Sequence, residues 1–133
     1  MRARLLVVDD EKEVRELLTD ILTSEDHEVE TCPDGHQGLK MFKHNYFDLV
    51  FTDLGMPGMT GWQVAAEVKK INGTTPVSVI TGWSVKIDPS EMKERGVDFI
   101  VSKPFEIKQI LQLVQDGLQL KQELENNNGN ESR

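Results

Sequence analysis

The chain has one cysteine, no long apolar run and too few basic residues to balance its acids. With Cys32 alone, its 133 residues form no internal disulfide and no metal site built from several cysteines, which fits a reducing compartment. No apolar run approaches the roughly 20 residues that span a bilayer, and the run at residues 5–8 is too short for a signal peptide. We therefore predict a cytoplasmic chain without membrane contact.

Acidic side chains dominate the charge of the sequence. The 23 Asp and Glu residues exceed the 15 Lys and Arg residues, which leaves a formal net charge of −8. Such a surface repels phosphate backbones, so we predict no nucleic-acid binding by this chain alone. A length of 133 residues is enough for one packed domain and short for two.

Five short apolar runs alternate with helical patterns, at residues 5–8, 29–32, 49–51, 77–80 and 99–101. This spacing is too wide for hairpins and suits βα units. The second run alternates polar and apolar residues, as an edge strand does, whereas the others are typical of strands covered on both faces. We predict an α/β fold of the (βα)5 type, with a doubly wound, five-stranded parallel sheet in the flavodoxin-like order 2-1-3-4-5.

Capping residues precede the helical patterns, and we predict N-caps at Asp10, Asp34, Thr60 and Asp88. From about Gly117 the apolar pattern decays. Residues 119–133 are therefore predicted to be a frayed helix end and a disordered polar tail, after a domain of residues 1–118. A coiled-coil extension through Leu120 and Leu124 is the alternative, with Lys121 at a seam position that needs an apolar residue.

Four predicted strands end in residues that can take part in chemistry: Asp9 with Asp10, Asp53, Thr81 and Lys103. In an open α/β sheet, ligands bind beyond the carboxyl ends of the strands. Carboxylates gathered there repel one another unless a cation lies among them, and hard oxygen ligands without His or Cys favour Mg²⁺. An aspartate can attack phosphorus as a nucleophile, while Lys103 and Thr81 contact the phosphoryl oxygens. Taken singly, Asp10 is equally well explained as a helix cap and Thr81 as an ordinary strand residue.

Several short motifs follow one another in a fixed order. They are Val-Asp-Asp-Glu at 8–11, Asp-Leu-Gly-Met-Pro-Gly-Met-Thr-Gly at 53–61, Thr-Gly at 81–82 and Lys-Pro-Phe at 103–105. In this combination the chain resembles the receiver domain of two-component response regulators, of the chemotaxis-regulator type, over residues 4–118. The resemblance implies that Asp53 accepts a phosphoryl group from the phosphohistidine of a histidine kinase or phosphotransfer protein, or from a small phosphodonor.

The same resemblance implies a metal site and a contact for the phosphoryl group. Mg²⁺, which Mn²⁺ is expected to be able to replace, would be held by Asp9, Asp10, Asp53 and the main-chain carbonyl of Gly55. Lys103 would pair with the phosphoryl group or with the acids.

The resemblance further implies a switch. Thr81 would move toward the phosphate, and the Lys103–Pro104 peptide bond would be cis, which is uncommon in general. The surface near the fourth helix, fifth strand and fifth helix would then bind a partner.

One departure from the family concerns that partner surface. Ile100 stands where many members have Tyr or Phe, so the aromatic half of the usual switch is altered here. Phe105 belongs to the same expected surface. Trp83, two residues after Thr81, is expected at the mouth of the site, where it either shields the acyl phosphate or simply covers the end of the sheet.

Other classes with a similar fold or chemistry fit the residues less well. Phosphatases of the haloacid dehalogenase type carry a second acid two residues after the nucleophile, where this chain has Gly55. A flavodoxin-type loop binds phosphate through hydroxyl and N–H groups, whereas the acids at 9–11 would repel it, and no P-loop sequence is present. A binding module that has lost phosphotransfer stays open as an alternative.

The expected partners are proteins: a histidine kinase or phosphotransfer protein, and an unknown downstream protein. We expect a monomer or a weak dimer formed on phosphorylation, either standing alone or as part of a larger chain. It would be a signalling phosphoacceptor that catalyses its own phosphorylation and slow dephosphorylation, not an enzyme with a separate substrate. The histidines His27, His36 and His44 match no metal spacing and are predicted on the surface.

Overall fold

Five strands and five helices alternate along the chain. The computed structural model describes residues 2–82 and 87–131, with side chains through residue 127. The strands are β1 (Arg4–Val8), β2 (Glu28–Cys32), β3 (Leu49–Asp53), β4 (Val77–Thr81) and β5 (Phe99–Ser102). The helices are α1 (Lys12–Thr23), α2 (Gly35–His44), α3 (Gly61–Ile71), α4 (Pro89–Glu94) and α5 (Ile107–Glu131). Within the described residues, no helix has the length and apolar character needed to cross a membrane.

The five strands form one parallel sheet of order β2-β1-β3-β4-β5, which confirms the predicted topology. Leu5 of β1 lies opposite Val29 of β2 on one side and Leu49 of β3 on the other. β2 is an edge strand, as its alternating pattern indicated. Because the strands are parallel, all their carboxyl ends meet at the same edge of the sheet.

Helices cover both faces of the sheet, so successive strand residues enter two different cores. On β1, Leu5 and Val7 pack with residues of α1 and α5, whereas Leu6 and Val8 pack with residues of α2 and α3. All four side chains are fully or almost fully buried. Burial on both faces explains why the strand reads as an uninterrupted apolar run.

Three of the four predicted helix caps are confirmed. Asp34, Thr60 and Asp88 each accept a hydrogen bond from a backbone N–H in the first turn of α2, α3 and α4, respectively. The predicted Asp10 cap is wrong, because α1 begins later, with Glu11 as an N-cap residue that makes no side-chain cap bond. The Asp10 carboxylate therefore has no capping role and lies at the carboxyl edge of the sheet.

α5 continues to Glu131, well past residue 117, where the apolar pattern predicts fraying. Lys121 Nζ lies 3.1 Å from Asp48 Oδ1 and 2.9 Å from Glu125 Oε1, and 5.0 Å from the centre of the Tyr46 ring. These contacts hold the helix against the segment that leads into β3. They also explain a lysine at a position where a coiled coil would need an apolar side chain.

His27 is partly buried, whereas His36 and His44 are exposed as predicted. His27 Nδ1 accepts a hydrogen bond of 3.0 Å from the N–H of Ala3, which joins the segment before β1 to the segment before β2. The prediction of a surface position therefore holds only in part for His27. Burial lowers the pKa of His27, and acidic neighbours reverse only part of this shift.

Replacing Lys121 with methionine is expected to lower the free energy of unfolding by about 1 to 2 kcal/mol, because Asp48 loses a charged hydrogen-bond donor. Hydrogen exchange at residues 118–127 should accelerate as well. Denaturant unfolding and exchange mass spectrometry measure the two effects. Lys108→Met removes the same charge from an exposed position of the same helix, and equal losses in both variants would contradict the assigned contacts.

Replacing His27 with glutamine is expected to reduce the loss of stability in mild acid. The pKa of His27 is lower in the folded than in the unfolded chain, so protonation favours unfolding as the pH falls below about 6.5. Between about pH 7.5 and about pH 5.5 the free energy of unfolding should fall less in the variant than in the wild type. Denaturant titrations at both pH values, with His36→Gln as the exposed control, test this. An unchanged pH dependence in His27→Gln would show that the ring does not contribute.

Candidate functional site

A depression of about 270 Å³ opens at the carboxyl edge of the sheet. Its lining residues follow the ends of β1, β3, β4 and β5: Asp10, Glu11, Asp53, Leu54, Gly55, Thr81, Gly82 and Lys103. A larger groove of about 580 Å³ lies between α2 and α3 but contains none of the predicted site residues. The parallel sheet thus gathers residues from distant parts of the chain around one small opening.

Asp9 is the most deeply buried acid of the site, with no exposed surface. Its N–H donates to the carbonyl oxygen of Cys32 at 3.1 Å, and its Oδ1 accepts from the N–H of Glu11 at 2.8 Å. Among the described residues, Asp9 Oδ2 accepts no hydrogen bond. Burial raises the pKa of Asp9, and the bond from Glu11 and the charge of Lys103 offset only part of that rise.

Asp53 ends β3 and is also buried. Burial and, after it, the nearby charge of Asp9 raise the pKa of Asp53 to about 6, although Lys103 acts in the opposite direction. The following residue is fixed by a 2.9 Å hydrogen bond from the N–H of Leu54 to the carbonyl oxygen of Ile80. Asp53 is therefore a carboxylate held by a central strand and poorly hydrated, with one side open to the depression.

Lys103 contacts three carboxylates at once. Its Nζ lies 2.8 Å from Glu11 Oε1, 3.2 Å from Asp9 Oδ2 and 3.6 Å from Asp53 Oδ2. The contact with Asp9 is an ion pair whose geometry is not that of a hydrogen bond, whereas the contact with Glu11 is a hydrogen bond. Burial opposes the charge of Lys103, but the bond to Glu11 and the two buried acids outweigh it and raise the pKa of Lys103. The Lys103–Pro104 peptide bond is cis, as the resemblance implied.

Four carboxylates converge closely enough to hold one cation. One oxygen each from Asp9, Asp10, Glu11 and Asp53 lies within 4.8 Å of the others. The donors are all hard oxygen atoms, and one of them, Asp9 Oδ2, is a buried acceptor without a hydrogen bond. This combination fits Mg²⁺ better than a metal that prefers nitrogen or sulfur.

Glu11 is the member of this cluster for which the sequence predicts no separate role. It makes the shortest contact with Lys103, yet it is largely exposed and stands at the N-cap position of α1. The signal that could have revealed it is its place in the run of three acids directly after β1. Its contact with Lys103 could not be read from a separation of 92 positions along the chain.

The other predicted residues divide between the depression and its surroundings. Thr81 is buried at the end of β4 and lines the depression, as does Gly55. Trp83 lies outside the described residues. Ile100 packs partly against the core shared with α2 and α3, and Phe105 packs against the core shared with α1 and α5, so neither lines the depression.

The start of α3 approaches the backbone of Asp53 very closely. A Cβ atom at Gly61 would lie only 2.5 Å from the carbonyl oxygen of Asp53 and 2.9 Å from Cα of Leu54. The N–H of Gly61 donates to the carbonyl oxygen of Leu54 at 2.9 Å. Any larger residue at this position must displace the backbone that carries Asp53.

This fold, with buried acids and a lysine at the carboxyl edge of the sheet, defines the chain as a receiver domain. The profile of the response regulator receiver domain family matches residues 5–115, and the chain belongs to that family. Response regulators are signalling proteins, and this chain is one of their receiver domains.

Among curated relatives, the chain is similar to the transcriptional regulatory protein GlrR of Escherichia coli, with 34% identity over 117 residues. That match covers 88% of this chain and 26% of GlrR. The response regulator ArlR of Staphylococcus aureus is 32% identical over 108 residues, which cover 81% of this chain and 49% of ArlR. The chain therefore spans between a quarter and a half of the length of these relatives.

Solved structures show the same fold. The structure of the chemotaxis response regulator CheY4 of Vibrio cholerae has a TM-score of 0.81 and 29% identity, over 89% of this chain and 100% of that one. NtrX from Brucella abortus has a TM-score of 0.88 and 28% identity, over 97% of this chain and 29% of that one.

Replacing Gly61 with alanine is expected to destabilise the chain by about 1 to 3 kcal/mol, because the new Cβ forces the Asp53 backbone to move. Denaturant unfolding measures the loss. Gly73→Ala is the matched control: the nearest atom to a Cβ there is 3.7 Å away, so its effect should stay within about 0.5 kcal/mol. Equal stabilities of the two variants would contradict the assigned close approach.

Proposed function

We propose that this receiver domain is a Mg²⁺-dependent phosphoacceptor in two-component or phosphorelay signalling, with Asp53 as the residue that takes the phosphoryl group. The observation that carries this proposal is the surroundings of Asp53. Its carboxylate is buried at a strand end, lies 3.6 Å from the ammonium group of Lys103 and borders an acidic depression. Membership of the receiver family supports a histidine kinase or phosphotransfer protein as the donor.

In the proposed reaction Asp53 acts as the nucleophile. One of its oxygens attacks phosphorus while the P–N bond of the donor's phosphohistidine breaks. The electron pair of that bond stays on the imidazole nitrogen, which takes up a proton. Lys103, already beside Asp53, would donate a hydrogen bond to a phosphoryl oxygen, and Thr81, which lines the same depression, would move toward that oxygen as the switch.

The metal would be held by residues at the ends of β1 and β3. Asp9, Asp10 and Asp53, together with the main-chain carbonyl of Gly55, are the proposed ligands. The fit rests on the four convergent carboxylates and on Asp9 Oδ2, a buried acceptor without a hydrogen bond among the described residues. Mn²⁺ prefers similar oxygen ligands and should replace Mg²⁺. A bound Mg²⁺ supplies positive charge that counters the repulsion between these acids and the phosphoryl oxygens.

The signal is proposed to leave through the surface of α4, β5 and α5. Within this surface, a groove of about 420 Å³ lies between β5 and α5, and Ile100, Lys108, Gln112 and Leu113 are among its lining residues. Because Ile100 contributes to both the groove and the neighbouring core, a repacking of β5 would change the shape offered to a partner. That partner is proposed to be a downstream protein or, weakly, a second copy of the chain.

Replacing Asp53 with asparagine is expected to abolish phosphorylation by acetyl phosphate, because the amide oxygen is a poor nucleophile. Intact-mass spectrometry should show one added phosphoryl group on the wild type with Mg²⁺ or Mn²⁺, and none with EDTA. Asp20→Asn, at an exposed position of α1, is the matched control and should react like the wild type. A wild type that gains no mass would indicate a binding module, and an Asp53→Asn variant that gains mass would place the phosphoryl group elsewhere.

A further inference from the structure

Arg15 of α1 is joined to the acidic site through the main chain rather than through a carboxylate. Its Nη1 donates a hydrogen bond of 2.8 Å to the carbonyl oxygen of Asp9. On the other side of the same residue, the N–H of Asp9 donates to the carbonyl oxygen of Cys32 at 3.1 Å. The backbone of Asp9 is thus held from α1 and from β2 at the same time.

The carbonyl group that Arg15 contacts belongs to the peptide plane between Asp9 and Asp10. Because a peptide unit is planar, the direction of this carbonyl also sets the direction of the Asp10 N–H and the course of the chain into Asp10. The Asp9 carboxylate is separately oriented by the N–H of Glu11. Asp10 is exposed and does not cap α1, so the helix does not fix its carboxylate, and this peptide plane sets the backbone from which the side chain starts.

We propose, on the basis of the function proposed above, that Arg15 is a positioning residue. By holding the Asp9 carbonyl, it orients the Asp9–Asp10 peptide and prepares both carboxylates for Mg²⁺. Groups that orient the ligands of a metal commonly change its affinity by about 10- to 100-fold when they are removed. The exposed position of Asp10 favours the lower end of that range here.

The charge of Arg15 predicts an effect of the opposite sign. A guanidinium group beside the backbone of the acidic site would repel a divalent cation, so its removal should strengthen Mg²⁺ binding if charge alone mattered. Removal of the hydrogen bond to Asp9 should weaken Mg²⁺ binding. The sign of the change therefore separates a positioning role from a purely electrostatic one.

The test is a titration of the ¹⁵N-labelled full chain with MgCl₂, followed by the amide signals of Glu11 and Gly55. Arg15→Met is expected to bind Mg²⁺ about tenfold more weakly than the wild type. Arg15→Lys should recover much of the affinity, because its ammonium group can donate one hydrogen bond to the same carbonyl.

Lys12→Met is the control for charge. It removes the same charge from an exposed position of α1 whose ion pair is with Glu16, so it should bind Mg²⁺ as tightly as the wild type or more tightly. An Arg15→Met variant with the affinity of Lys12→Met would overturn the inference.

A variant at the opposite edge of the sheet serves as the control for a general loss of stability. Lys121→Met also loses a partly buried cation, but Lys121 contacts Asp48, Glu125 and Tyr46, which are not part of the acidic site. Lys121→Met should keep the wild-type Mg²⁺ affinity. If it weakened Mg²⁺ binding as much as Arg15→Met does, general destabilisation would explain both losses and the inference would be overturned. If Arg15→Met does not fold, Arg15→Leu, which also lacks a hydrogen-bond donor, provides the comparison. A wild type that shows no Mg²⁺ response would overturn the proposed function itself, whereas wild-type binding with unchanged Arg15 variants would overturn this inference alone.

Discussion

Negative charge is concentrated at the carboxyl edge of the sheet, in a place that water reaches poorly. Asp9 is fully buried and Asp53 almost fully, and the charge of Asp9 makes ionisation of Asp53 less favourable. Lys103 offsets part of this repulsion by lying between 2.8 and 3.6 Å from three carboxylates. Because one ammonium group offsets only part of this negative charge, we expect the site to respond to an added cation or an added phosphoryl group, either of which would compete for the partners of Lys103.

The surrounding fold keeps these charges in place by using the backbone. β1 and β3 are buried on both faces, and the acids follow directly where their apolar residues end. Backbone hydrogen bonds from Asp9 to Cys32 and from Leu54 to Ile80 fix the two strand ends relative to their neighbours. The close approach of Gly61 limits movement from the side of α3. The backbone around the acids therefore keeps them close together in spite of their mutual repulsion.

The apolar pattern was sufficient to predict the fold because strands covered on both faces and helices with one apolar face differ in period. Its failure at Asp10 has a physical cause. Asp10 has the spacing of a helix cap, but α1 starts at Lys12, so that Glu11 rather than Asp10 stands at the N-cap position. The end of α5 looks too polar to be held, yet Lys121 finds partners from a distant segment. Such contacts leave no periodic signal in the sequence.

The residues of the site were predictable by position, since every parallel strand delivers its last residue to the same edge of the sheet. Asp9, Asp10, Asp53, Thr81 and Lys103 could all be named from strand ends and from the family resemblance. Only the tertiary structure decided which of them are buried, which oxygen of Asp9 lacks a hydrogen bond, and that Glu11 makes the shortest contact with Lys103. The reason is that burial and pairing depend on distances between segments far apart in the chain, whereas the order of strands and the chemistry of their last residues are local. The shortage of basic residues in the chain therefore has its clearest consequence at this edge, where one lysine contacts three acids.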